Sequence, residues 1–122
     1  MSANCLFCKI IKGEIPAKFV YKDEDCVVFH DIAPAAPVHL LMVPLHHVTS
    51  MQTVNDTDAG WLGRMMSRIP QIALDNGCNP GQEGGFRIMV NSGIEGGQEV
   101  NHLHFHIIGG KRPWKGRTTA NA

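Results

Sequence analysis

Apolar and polar residues follow a period of two in several short stretches of the chain and a helical period in one long stretch. Residues 19–22 and 26–31 are rich in β-formers and flank the polar turn Asp23-Glu24-Asp25, which predicts a hairpin. Residues 39–43 form a third predicted strand, set off by Pro37 and Pro44, and residues 86–91 and 100–108 form a fourth and fifth. Between the third and fourth strands, Trp61, Leu62, Met65, Met66, Ile69, Ile72 and Ala73 fall on one helical face. Asp56-Thr57-Asp58 offers N-caps for that helix, Asn76-Gly77 ends it, and Pro70 predicts a kink or break. A short helical turn is expected over residues 8–12, stopped by Gly13 and Pro16. The expected fold is α+β: a five-stranded antiparallel sheet, one long helix and a short N-terminal helix.

The fifth predicted strand carries His102-Leu103-His104-Phe105-His106-Ile107-Ile108. On a strand, alternate side chains share a face and lie about 6.8 Å apart. Leu103, Phe105 and Ile107 should then face a core, and the three imidazoles should face solvent, a ligand or a metal. Three readings follow: an exposed histidine run, metal ligands, or imidazoles acting as nucleophile and proton donor. Imidazole suits the last role because it attacks when neutral and donates when charged, near neutral pH. Gly96-Gly97-Gln98 precedes the row, and backbone N–H groups of a glycine loop can converge on an anion.

Composition narrows the choice. The 122 residues make one domain, 1–122, with an irregular tail over about 111–122. Eleven basic and eleven acidic residues balance, which argues against nucleic-acid binding through bulk charge. No apolar run approaches the roughly 20 residues that span a bilayer, so no membrane partner is expected. The start Met1-Ser2-Ala3-Asn4-Cys5 lacks a secretory pattern, and a cytoplasmic location is expected. Four cysteines are too few for a disulfide scaffold; Cys5 and Cys8 form a C-x-x-C, while Cys26 and Cys78 read as packing residues.

With His102-x-His104-x-His106 in place after Gly96-Gly97-Gln98, the chain resembles the histidine triad family, in its Hint-type nucleotide-binding branch. Further matching segments are Leu6 through Ile11, Gly13 through Pro16, Phe29 through Pro34, Ala36 through His39, and Val90-Asn91. The resemblance implies a homodimer with a continuous ten-stranded sheet. It also implies binding of purine nucleoside monophosphates and hydrolysis of phosphoramidates such as AMP joined to an amine or to lysine. By position, His104 would be the nucleophile that carries the nucleotidyl group. His106 would hydrogen-bond the phosphate and leaving group, and His39 would join the histidine network that orients His104. Gln98 and the backbone near Gly97 would hold phosphate atoms, with Asn91 beside them. Asp31 would accept the ribose hydroxyls, and Phe7, Ile10, Phe29, His30 and Ile32 would form the base pocket.

The resemblance further implies a structural zinc on Cys5, Cys8, His47 and His102, with no catalytic metal; such a set has no open position. An unoccupied thiol pair or a redox pair are the other readings of Cys5 and Cys8. His46 should be exposed. Glu99 stands where many relatives carry a hydroxyl residue, and a carboxylate beside phosphate is unfavourable unless a cation intervenes. Glu99 is therefore expected to face the leaving amine. Two other classes of function stay open: a nucleotide-binding adaptor acting through dimer and partner contacts, and a metal-dependent hydrolase using the histidine row as ligands. In the tail, Trp114 is a candidate contact for the leaving group.

Overall fold

The structure is a computed structural model and describes residues 5–110. The element order is α1 (Leu6–Ile11), β1 (Phe19–Lys22), β2 (Cys26–His30), β3 (Val38–Pro44), α2 (Ala59–Ser67), α3 (Ile69–Asp75), β4 (Phe86–Met89) and β5 (Phe105–Gly109). All neighbouring strands are antiparallel, in the order β1-β2-β3-β5-β4. The α+β architecture with a five-stranded antiparallel sheet is thus the one expected.

β3 is central and buried along its whole length, which explains its near-continuous apolar run. It extends one residue beyond the expected span at each end. Pro44 is tolerated because it closes the strand. The β1–β2 turn is built by Asp23, whose Oδ1 accepts the N–H groups of Asp25 and Cys26 at 2.7 and 2.9 Å. Asp25, buried behind that turn, accepts two hydrogen bonds from the Arg64 guanidinium, both 2.9 Å, and one from Arg68 at 3.0 Å. These bonds tie the hairpin to the helices and hold the Asp25 carboxyl down to about 2.

The long helix is broken. α2 ends at Ser67, and α3 starts at Ile69 with Pro70 in its first turn. Proline has no N–H to donate back and is pre-organised for a helix start, so the break falls just before it. The start also departs from expectation. Asn55 caps a 3-10 turn over Asp56–Asp58, and Asp58, at the N-cap of α2, makes no capping bond. Its Oδ1 accepts Trp61 Nε1–H, and its Oδ2 accepts Asn55 N–H to close the capping box of the 3-10 turn, both at 3.1 Å.

Two clusters cover the two faces of the sheet. Val28, Leu40, Met42, Phe105 and Ile107 pack with Leu103 against Trp61, Met65, Ile69 and Ile72 of the helices. Val27, Phe29, Leu41 and Val43 pack with Cys5, Phe7, Cys8 and Ile10 of the α1 region. The period of two thus divides each strand between a thick helical layer and a thin one. The thin layer leaves room for a site.

β4 and β5 are shorter than predicted. β4 stops at Met89 rather than residue 91. Residues 100–104 are not strand: His102 N–H bonds back to Val100 O, and Leu103 N–H bonds to Val48 O, at 2.9 and 2.7 Å. The segment is engaged by the loop after β3 before it can join the sheet. The tail, with Trp114, lies outside the described residues.

β5 ends under tight packing. A Cβ on Gly109 would lie 2.4 Å from Cys78 Sγ. Gly109→Ala is expected to cost about 1–3 kcal/mol by overpacking. Adding Cys78→Ala should recover most of that loss in a denaturant-unfolding double-mutant cycle.

Candidate functional site

The histidine row does not share one exposed face. His102 is fully buried, His104 is 5% exposed and His106 is half-buried. The expectation of one shared face is corrected, because His102 and His104 precede β5, and each buried imidazole finds a partner inside the protein.

His102 Nε2 lies 2.9 Å from Pro44 O, and its Nδ1 lies 3.3 and 3.5 Å from Cys5 Sγ and Cys8 Sγ. A carbonyl only accepts, so Nε2 carries the proton and Nδ1 presents its lone pair to the sulfurs. His104 Nδ1 lies 2.8 Å from His102 O, so here Nδ1 carries the proton and Nε2 keeps the lone pair. Ala35 N–H donates to His39 Nδ1 at 3.0 Å, leaving His39 Nε2 as the donor to His106 Nδ1 at 2.9 Å. His106 is thereby held with its proton on Nε2. His39 bonds to His106 and not to His104, so its part in orienting His104 runs through a neighbour. The His104 and His106 rings stand edge to face with centroids 5.1 Å apart.

A cavity of about 440 Å³ opens beside these two rings. Phe7 and Ile10 enter it from α1, and Phe29 and His30 from β2, followed by Asp31 and Ile32. Asn91, Gly97 and Glu99 complete the opposite wall with His104 and His106. Apart from Gln98, the residues expected to contact a nucleotide line one cavity. Phe7 stands edge-on to His104 at 5.0 Å and to Phe29 at 5.7 Å. Ile32 is 99% exposed on the rim, so its apolar surface is presented outward rather than to the core. Gly97 holds φ +83°, the left-handed region open to glycine, where the loop turns into the cavity.

Gln98 departs from its expected place and is not among the lining residues. Its Oε1 accepts Gly93 N–H at 2.9 Å, and its Nε2 donates to Thr49 O and Val100 O at 2.7 and 2.9 Å. The side-chain amide is committed to holding the loop.

Burial pushes the pocket histidines down. His106 falls to about 4 through burial and its imidazole neighbours; His39 and His104 are lowered by burial, with Asp31 opposing in all three. All three are neutral at pH 7, as a nucleophilic imidazole must be. Among the described residues, the cavity lining contains Asp31 and Glu99 but no Lys or Arg.

The second cluster is Cys5, Cys8, His47 and His102, whose ligand atoms lie within 4.8 Å of one another. Cys8 Sγ is 3.1 Å from His47 Nδ1. Tetrahedral zinc with ordinary bond lengths would place such S and N atoms about 3.5 Å apart. Cys8 N–H donates to Cys5 Sγ at 3.2 Å. Burial and the adjacent Cys5 push the Cys8 thiol up to about 11, a penalty that a bound cation would reverse. The donor set and the anchored His102 ring fit a metal ion. His46 is exposed, as expected, and stacks on Trp61 at 4.8 Å.

Asp31, His39 and His106 also lie close enough to share a cation. Their hydrogen bonds fit one poorly. His39 Nδ1 already accepts an amide proton, so metal at Nε2 would require the imidazolate.

Sequence reasoning missed the main-chain groups that set the tautomers: Ala35 N–H, Pro44 O and His102 O. No sequence signal marks them, since every residue but proline carries the same donor and acceptor.

A family profile described as scavenger mRNA decapping enzyme C-term binding matches residues 4–120. Protein HitA of Neisseria gonorrhoeae is 47% identical over 106 residues, covering 87% of this chain and 95% of that protein. A histidine triad protein from Clostridium difficile superposes with TM-score 0.83 at 41% identity, covering 92% of this chain and 95% of its own. A HIT family hydrolase from Legionella pneumophila gives TM-score 0.82 at 42% identity, covering 89% and 95%.

A stability profile follows from the lowered histidines. In the unfolded chain they bind protons near pH 6.5, but in the fold they do so only at lower pH. Stability should be full above about pH 7 and fall as the pH drops from 6.5 towards 4. Thermal midpoints across that window should show the fall, and His106→Asn should make it shallower.

Proposed function

The chain belongs to the histidine triad family, and from that premise we propose that it hydrolyses purine nucleoside phosphoramidates through a nucleotidyl-histidine intermediate. The observation that carries this reading is the tautomer of His104. Its Nδ1–H is held by His102 O at 2.8 Å, so the Nε2 lone pair is free beside the cavity. A neutral, oriented imidazole is the reactive form for attack on phosphorus.

In the first step His104 Nε2 forms a bond to the α-phosphorus and the P–N bond breaks. The electron pair leaves with the amine nitrogen, which takes up a proton from the medium while the His106 Nε2–H hydrogen-bonds it. In the second step water attacks the same phosphorus and gives its proton to the medium, the His104–P bond breaks with its electron pair returning to Nε2, and the nucleoside monophosphate departs. Two easier displacements replace one difficult one. Phe7, Ile10, Phe29, His30 and Ile32 offer the apolar walls for the base, and Asp31 offers carboxylate oxygens for ribose hydroxyls. Asn91 and the Gly97 backbone serve the phosphate. With no Lys or Arg among the described lining residues, N–H dipoles meet the phosphate charge. Glu99 serves a cationic leaving group.

Zinc on Cys5, Cys8, His47 and His102 is part of the same proposal. It would fasten α1 to the loop after β3 and to the segment before β5, supplying folding free energy rather than chemistry. The exposed apolar residues Phe86, Ile88 and Val90 lie in and just beyond the edge strand β4, and they support pairing of two chains edge to edge.

Two outcomes test this. His104→Ala should lower kcat/KM for an AMP-amine substrate by at least about 10³-fold, and rapid-quench mass spectrometry of the wild type should catch a nucleotidyl adduct on His104. A His104→Ala protein that still turned over at the wild-type rate would overturn the reading. Separately, a zinc chelator should lower the thermal midpoint by several degrees, zinc should restore it, and Cys8→Ser should be insensitive to both.

A further inference from the structure

Asp31 sits between two cavities. It lines the cavity shared with His106, and it also lines a neighbouring one of about 670 Å³ shared with His39. Its two carboxylate oxygens have different partners. Oδ1 accepts Ala33 N–H at 2.8 Å, which fixes the side chain to the turn after β2. Oδ2 lies 3.3 Å from His39 Nε2.

The same His39 Nε2 lies 2.9 Å from His106 Nδ1. Ala35 N–H occupies His39 Nδ1, so His39 has one proton, on Nε2, and two acceptors near it. That N–H is hydrogen-bonded to His106, and the Asp31 carboxylate lies close enough to pull on it electrostatically. The side chain of Asp31 keeps 19% of its surface exposed, which leaves lone pairs for a ligand.

We propose that Asp31 is a positioning residue for the His39–His106 pair as well as a ligand for the nucleotide, so that ribose binding and the orientation of the His106 proton donor are coupled through one carboxylate. The inference rests on the nucleotide reading above. Hydroxyl donors from a ribose would draw charge from Oδ2 and weaken its hold on the His39 proton. His39 Nε2–H would then be given more fully to His106 Nδ1, which locks His106 Nε2–H as donor. The titratable groups around the pair are His104, Asp31 just after β2, Glu99 and His30 on the first cavity, and Lys18 and His30 on the second. Asp31 raises the proton affinity of both His39 and His106 against burial, whereas His104 and His39 lower that of His106.

Asp31→Asn separates the two roles. An amide has one acceptor oxygen and no charge, and Ala33 N–H takes that oxygen. With the oxygen on Ala33, the amide NH₂ faces the His39 N–H, donor against donor, as in carboxylate-to-amide changes beside catalytic histidines.

The test pairs histidine ¹⁵N NMR with kinetics. In the free wild type, His39 Nε2 and His106 Nδ1 should report a protonated and an unprotonated nitrogen, and Asp31→Asn should shift both. AMP should shift both signals in the wild type, and 2',3'-dideoxy-AMP should shift them less. With a 2',3'-dideoxy phosphoramidate, where no hydroxyl remains to be lost, Asp31→Asn should still lower kcat about tenfold with KM nearly unchanged. The proposal is overturned if Asp31→Asn leaves the two signals in place, or if its kinetic effect disappears on the dideoxy substrate. Should Asp31→Asn fail to fold, the wild-type titration decides, and equal shifts from the two nucleotides overturn the proposal. If AMP does not bind, the nucleotide reading fails, and the signals of free Asp31→Asn still decide whether Asp31 positions His39.

Discussion

A neutral imidazole has one proton and two nitrogens, and the organisation of this site follows from where main-chain groups force that proton to lie. Pro44 O takes the Nε2 proton of His102, His102 O takes the Nδ1 proton of His104, and Ala35 N–H turns His39 so that it gives its Nε2 proton to His106. His102 is left with a lone pair facing the two sulfurs, His104 with an uncommitted lone pair beside the cavity, and His106 with a donor. Three chemically identical side chains acquire three roles from three backbone surroundings.

The two sheet faces make this arrangement sustainable. Burial lowers the proton affinity of His39, His104 and His106, so their charged forms are disfavoured and the hydrogen-bond directions persist at neutral pH. The helical layer on one side supplies most of the apolar packing. The thin layer on the other side needs a fastening, because α1 is only six residues long and an isolated helix of that length does not persist in water. Cys5 and Cys8 sit at its start, and Phe7 and Ile10 of the same turn line the cavity. Whatever holds the cysteines therefore also holds a wall of the pocket. His102 joins the two clusters, with its ring among the sulfurs and its carbonyl on His104.

Among the described residues the lining carries two carboxylates and no Lys or Arg. An anion bound there would meet N–H dipoles, which are weaker than a guanidinium but are set in advance and cost no reorganisation.

Much was legible in the chain itself. Leu103, Phe105 and Ile107 announced their burial by alternation, Trp61 through Ala73 announced a helical face, and Pro70 marked its break. The His102-x-His104-x-His106 pattern and Cys5-x-x-Cys8 marked the two clusters, because those residue types are rare, reactive and periodic. Tertiary structure alone decided that His102 leaves the sheet for the sulfurs, that Gln98 spends its amide on the loop, that His39 bonds to His106, and that Phe7, Ile10 and Asp31 meet around one cavity. The reason is physical. Periodicity reports which side chains avoid water, a local property written residue by residue. Hydrogen-bond partners belong to a backbone that looks alike at nearly every position, and only the path of the folded chain selects among them.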